Sequence, residues 1–150
     1  MGKRTLTFAL AGAAALTSVL VASGSAEAGT TGRCYTGDAC FYYNSNHDGA
    51  VAPTGGPQGG AIVDLAGIDF NAGTGAGSGQ PVKNNAASAE NDTSWYFFSF
   101  YNSEFEGSYD VISPMNWANL QATYNEDAST CFDYTSARPS FAECVNEEGG

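Results

Sequence analysis

Two nine-residue stretches, FYYNSNHDG at 41–49 and SFYNSEFEG at 99–107, are written in one frame. Each runs aromatic, Tyr-Asn-Ser, a turn, then Gly, so that Tyr43, Asn44, Ser45 and Gly49 match Tyr101, Asn102, Ser103 and Gly107. Further on, Asn84-Asn85-Ala86-Ala87-Ser88-Ala89 is answered by Asn125-Glu126-Asp127-Ala128-Ser129-Thr130. A repeated order of strand, Gly-closed hairpin, connection and Asn-x-x-Ala-Ser restricts the fold severely. Whatever unit the first copy builds, the second builds again, and the longer Gly-rich connection of the first reads as a loop that has grown.

The intervening residues favour strands over helices. Helical periodicity is missing after residue 28, and turn formers recur every few positions. The segments 39–43, 61–65, 95–101, 109–112, 131–134 and 141–145 are short, aromatic or β-branched, and bounded by Gly, Asn, Asp or Pro. They predict an all-β sandwich or barrel. WYFFSFY at 95–101 is nearly continuous rather than alternating, as expected of a central strand covered on both faces or of one flanked by a bulge. The Gly-rich passages 53–60 and 71–79 read as open loops, since no Lys-Ser/Thr follows to make a phosphate cradle. The acidic end, 146–150, reads as frayed.

The beginning of the chain has the marks of an export signal. Lys3 and Arg4 precede a mostly apolar run at 6–22, and Ala26-Glu27-Ala28 offers small residues where a signal peptidase cuts. The competing reading, a retained anchor, suits the run's length but not its Ala, Gly, Thr and Ser content or the cleavage-like site. Residues 1–28 are therefore expected to be removed, leaving 29–150 as one secreted domain. Within it, 33–91 is assigned to a first motif, 94–134 to a second and 135–150 to a C-terminal extension. This domain carries three basic and fifteen acidic side chains. Such a surface repels nucleic acid and anionic lipid, so neither is expected as a partner.

Cys34, Cys40, Cys131 and Cys144 are even in number and, outside the cell, read as disulfides with three possible connectivities. The local pairs Cys34–Cys40 and Cys131–Cys144 are favoured because each closes a short loop with turn formers. Zinc is disfavoured, because neither pair has Cys-x-x-Cys spacing and His47 is the only histidine.

With the repeat in hand, the chain resembles the βγ-crystallin type of Greek-key domain. There an aromatic is followed by a Gly at fixed spacing, with a second aromatic two positions before the Gly. Tyr42 to Gly49 and Phe100 to Gly107 fit, Phe105 fills the second aromatic slot, and His47 departs from it. A Cys-(five residues)-Cys-aromatic segment following a secretion signal, then the hairpin and Asn-x-Ala-Ala-Ser, is similar to the secreted peptidase-inhibitor family of streptomycetes. Cys34, Cys40, Phe41, Gly49, Val82, Asn84, Asn85, Ala86, Ala87 and Ser88 carry that likeness, which covers 32–134 at pattern level. It implies a Greek-key sandwich of two related motifs. It also implies a proteinaceous inhibitor, most directly of metalloproteinases, with a reactive bond near a disulfide.

The resemblance raises calcium as well. In crystallin-type domains Asn/Asp-Asn/Asp-x-x-Ser/Thr-Ser supplies oxygen ligands from its second and fifth side chains, which transfers here to Asn85 with Ser88 and Glu126 with Ser129. Both copies depart from the pattern at Ala89, Thr130 and Glu126, and the same Asn and Ser residues serve equally as turn caps. No catalytic residue is expected: His47 reads as an exposed turn residue with no nucleophile suggested beside it, and nearly all the carboxylates read as solvated. Two loops are candidates for blocking a protease, YTGDA between Cys34 and Cys40 and FDYTSARPSFAE between Cys131 and Cys144, with Arg138 central to the second. The primary expectation is a monomeric inhibitor of an extracellular protease that needs no cofactor. The alternative is a calcium-binding, crystallin-like structural, toxin-like or stress module.

Overall fold

The computed structural model describes residues 33–134 and Cys144. Among these residues seven short strands form: β1 (Ala39–Tyr42), β2 (Val51–Gly55), β3 (Ser88–Asn91), β4 (Tyr96–Phe100), β5 (Tyr109–Ile112), β6 (Asn116–Asn119) and β7 (Ser129–Asp133). They make two antiparallel sheets, ordered β2-β1-β3-β6 and β5-β4-β7. A bridge from Ile62 to Thr130 extends the second sheet beyond β7. The two sheets therefore exchange pieces. β6, from the second half of the chain, pairs with β3 of the first, while Ile62, from the first half, pairs with β7 of the second.

Alternation along the strands sorts side chains into an inner core and two outer faces. Phe41, Phe70, Leu65, Val82, Phe97, Ile112, Leu120 and Phe132 fill the space between the sheets. Phe97 is central, its ring centroid 5.5 Å from that of Phe41 and 5.2 Å from that of Phe132. Burying each such ring stabilises the fold by about 1.5–3 kcal/mol. β4 lies between β5 and β7, with Phe97 pointing inward and Phe98 and Phe100 pointing outward into a second cluster with Phe105, Cys131 and Cys144. That coverage on both sides accounts for its unbroken aromatic run. A smaller cluster of Cys40, Tyr42 and Val51, joined by Cys34, lies on the outer face of the other sheet. Both disulfides, Cys34–Cys40 and Cys131–Cys144, sit in these outer clusters.

The repeated stretches build the same corner twice. Tyr43 N–H donates to the Ala50 carbonyl at 2.9 Å and Asn44 N–H to that of Asp48 at 3.0 Å. In the other copy Tyr101 bonds Ser108 at 2.9 Å and Asn102 bonds Glu106 at 3.0 Å. Gly49 and Gly107 have φ of 81° and 82°, a region that side chains resist. A Cβ on Gly49 would lie 2.9 Å from the Ala76 oxygen, and one on Gly107 would lie 2.9 Å from Asn102 Nδ2. Ser88 Oγ donates to the Asn44 carbonyl at 2.7 Å and accepts His47 N–H at 3.2 Å. Ser129 Oγ does the same with Asn102 at 2.7 Å and Phe105 N–H at 3.1 Å.

Several sequence expectations are corrected. The strand at 61–65 reduces to the Ile62 bridge. Residues 53–60 are not an open loop: Pro53 pairs with Cys40 inside β2, and Pro57–Gly59 forms a 3-10 turn. Proline is tolerated because β2 is an edge strand. Residues 71–79 are not open either, since they fold against the first corner, with Ala50 N–H bonding the Ala76 carbonyl at 2.7 Å and Gly77 facing the Tyr43 ring. Asp127 and Asp133 are the carboxylate side chains buried among the described residues. The export signal, the strand at 141–145 apart from Cys144, the frayed end 146–150 and Arg138 lie outside the described residues.

Candidate functional site

The Cys34–Cys40 loop is short, and its backbone is fastened at several points. Asp38 N–H closes a turn onto the Tyr35 carbonyl at 2.9 Å, with Gly37 supplying the φ of 95° at the third position. Gly37 N–H then donates to the Asp92 carbonyl, and Asp92 N–H to that of Asp38, both at 2.9 Å. Gly56, just past β2, lies so close to the Gly37 carbonyl that a Cβ there would sit 2.0 Å from its oxygen. The disulfide fixes the loop from behind, with Cα atoms 5.7 Å apart. Tyr35, held on this frame, is 70% exposed.

Beside the loop is an open cleft of about 410 Å³ lined by Arg33, Cys34, Thr36, Tyr42, Glu90 and Asp92. Tyr42 O–H donates to Glu90 Oε2 at 2.5 Å. Burial first, then this hydrogen bond and the Glu90 charge, push the phenol's pKa well above its ordinary value, so Tyr42 stays protonated. The strand register sets Pro53, Cys40, Glu90 and Trp117 side by side across the sheet. Trp117 therefore stands two strand spacings, about 10 Å, from Cys40 on the same outer face. It is 46% exposed.

His47 fills the second aromatic slot of its corner. Its ring lies 5.1 Å from Tyr42 and 4.3 Å from Trp117, half-buried rather than displayed on a turn. Burial lowers its pKa, outweighing the opposite pull of Glu90 and Asp92. The neutral ring packs as Phe105 does against Phe100, where the centroids are 5.8 Å apart. Its Nε2 is buried without a hydrogen-bond partner.

The residues considered for calcium do other work. The buried hydroxyls of Ser88 and Ser129 are each bonded on both sides in locking the hairpins, while Glu126 is exposed. Asn85 Nδ2 donates to the Lys83 carbonyl at 3.1 Å. Among the described residues no group of three or more His, Cys, Asp or Glu converges to hold a metal ion, and no helix is long and apolar enough to cross a membrane. Cys131–Cys144 closes the second candidate loop, whose residues 135–143 are outside the described part.

Sequence reasoning reached the disulfide loop but missed Glu90, Asp92 and Trp117. The signal available was weak: SAEN and NWAN alternate inward Ala with outward polar or aromatic side chains, but neither is rich in strand formers.

The model of peptidase inhibitor family I36 matches residues 27–112. No curated protein matches the chain. A solved structure described under "Evolution of the eye lens beta-gamma-crystallin domain fold" superposes with a TM-score of 0.50 at 14% identity, covering 72% of this chain and 96% of that one. The N-terminal domain of protein S gives 0.48 at 15% identity, with 63% and 93% covered. A βγ-crystallin domain from Clostridium beijerinckii gives 0.47 at 15% identity, with 65% and 99% covered. At such identities the first superposition speaks for the fold alone, which is βγ-crystallin-like.

Proposed function

Because the chain belongs to peptidase inhibitor family I36, we propose that it is a secreted inhibitor of metalloproteinases which blocks its target's cleft with a disulfide-braced loop. Family membership makes it a non-enzymatic inhibitor and its partner a protease; the target class and the blocking loop are our reading. The observation that supports the loop is the fastening of residues 34–40. A disulfide, a closed turn and two backbone bonds to Asp92 hold the exposed Tyr35. A loop already ordered has little entropy left to lose on docking, which is how shape alone converts into affinity. Export is supported by the disulfides, which persist in oxidising compartments.

The test is a titration of the purified mature chain against thermolysin-type metalloproteinases and, in parallel, serine proteases. Activity of a metalloproteinase is expected to fall in proportion to added inhibitor and reach its floor near one equivalent. Unchanged activity across the metalloproteinases overturns the target class, and unchanged activity across both sets overturns inhibition.

A further inference from the structure

The outer face of the β2-β1-β3-β6 sheet carries features that loop rigidity alone does not explain. We propose that this face, from Tyr35 across Glu90 and Asp92 to Trp117, is one continuous protease-contacting surface, with Tyr35 and Trp117 as apolar anchors and the two carboxylates receiving a basic side chain of the protease. The proposal rests on the inhibitory reading above and adds which surface is used and what chemistry it recognises.

Continuity comes from the register. Cys40, Glu90 and Trp117 are direct neighbours on three adjacent strands, and Cys40 ties the Tyr35 loop to the same row. Apolar anchoring comes from the two rings. Trp and Tyr are among the side chains most often found to dominate binding energy. Tyr35 projects from the clamped loop, while Trp117 packs at a tilt against His47, which packs in turn against Tyr42. Recognition of a cation comes from charge and geometry together. Glu90 lies directly across from the half-exposed indole, so an arriving guanidinium or ammonium meets a carboxylate and an aromatic face at once. Asp92 lines the same cleft as Glu90. Of the two basic residues in the described part, Arg33 lines the cleft, its charge opposed by the two carboxylates Glu90 and Asp92, and Lys83 is bonded to Asp64 at 2.6 Å elsewhere. With an acidic domain around it, the cleft favours a basic partner surface and speeds its approach.

The opposite outer face supplies the rival. There Phe98, Phe100 and Phe105 are buried, with Tyr109 partly exposed over Phe98 and Phe100. Tyr35→Ala, Trp117→Ala, Asp92→Asn and Tyr109→Ala are made in the full chain and titrated against a protease that the unaltered chain inhibits, with melting temperature recorded for each. Tyr35→Ala and Trp117→Ala are expected to raise the inhibition constant about 30-fold or more. Asp92→Asn is expected to slow association and weaken its dependence on salt, and Tyr109→Ala to leave inhibition unchanged. Tyr35 stands clear of the core, so its variant reports on contact even if Trp117→Ala lowers the melting temperature. Inhibition that survives both Tyr35→Ala and Trp117→Ala, or is lost only in Tyr109→Ala, overturns this surface while leaving inhibition intact. An unaltered chain that inhibits no protease removes both readings.

Discussion

Asp127 has nowhere to put a charge. It is fully buried, with Oδ1 accepting Ala86 N–H at 2.9 Å and Oδ2 without a partner. Burial pushes its pKa up to about 8, against the pull of amide N–H groups and with a further push from Glu126. The folded chain thus keeps a proton that the unfolded chain releases near 3.8. Because the native state binds more protons between those values, stability falls as pH rises from about 4 to about 8. The slope contributed by this one group reaches about 1.4 kcal/mol per pH unit. Denaturant midpoints measured from pH 5 to 8 are expected to decline in the unaltered chain. Asp127→Asn, which cannot ionise, should show a flatter profile, and parallel profiles would mean that Asp127 is ionised in the fold. Nothing in the local sequence discloses this, because NEDAST reads as a polar turn. Burial arises only when Asn84 N–H bonds the Asp127 carbonyl and Asn125 N–H bonds that of Ala86, each at 2.8 Å, closing the seam between the halves.

At the scale of elements, legibility divides by strand composition. β1, β4, β5 and most of β7 are rich in aromatic and β-branched residues and were readable from the chain alone. VAPTG, SAEN and NWAN were not, since each becomes a strand by pairing with a neighbour rather than by its own preference. The candidate site divides the same way. The Cys34–Cys40 loop is visible as a spacing, whereas the Cys40–Glu90–Trp117 row exists only in register. The loop disulfide is separable from the fold. A bridge closing so short a loop contributes about 2 kcal/mol by chain entropy, less than the core supplies. Replacing Cys34 and Cys40 together with Ser is expected to lower the melting temperature but preserve the sandwich. Inhibition should weaken out of proportion to the stability lost, because the loop must then be ordered on binding. A variant that inhibits as well as the unaltered chain would show that the brace is only structural.

For the whole molecule, the exchange of pieces between sheets governs cooperativity. The first half lacks the strand that covers β3, and the second lacks the bridge beside β7. The inner core also draws Phe41, Phe70 and Val82 from one half and Phe97, Ile112 and Phe132 from the other. A fragment of residues 29–91 is therefore expected to remain unfolded by NMR dispersion, and the intact chain to unfold in one transition. An independently folded fragment would contradict that dependence. The sequence alone determined that there are two copies of one corner, because Tyr42, Gly49, Phe100 and Gly107 mark a backbone path whose turn bonds, Asn44 to Asp48 and Asn102 to Glu106, close within each stretch. It also determined that short strands outnumber helices and that the cysteines lie where local bridges can close. Tertiary structure alone decided that β6 crosses to the first sheet, that His47 becomes a packed ring, that Asp127 loses its water and that Cys40, Glu90 and Trp117 share a face. The physical reason is range: turn chemistry and alternation act over a few residues, whereas burial and cross-strand register depend on which distant segments arrive.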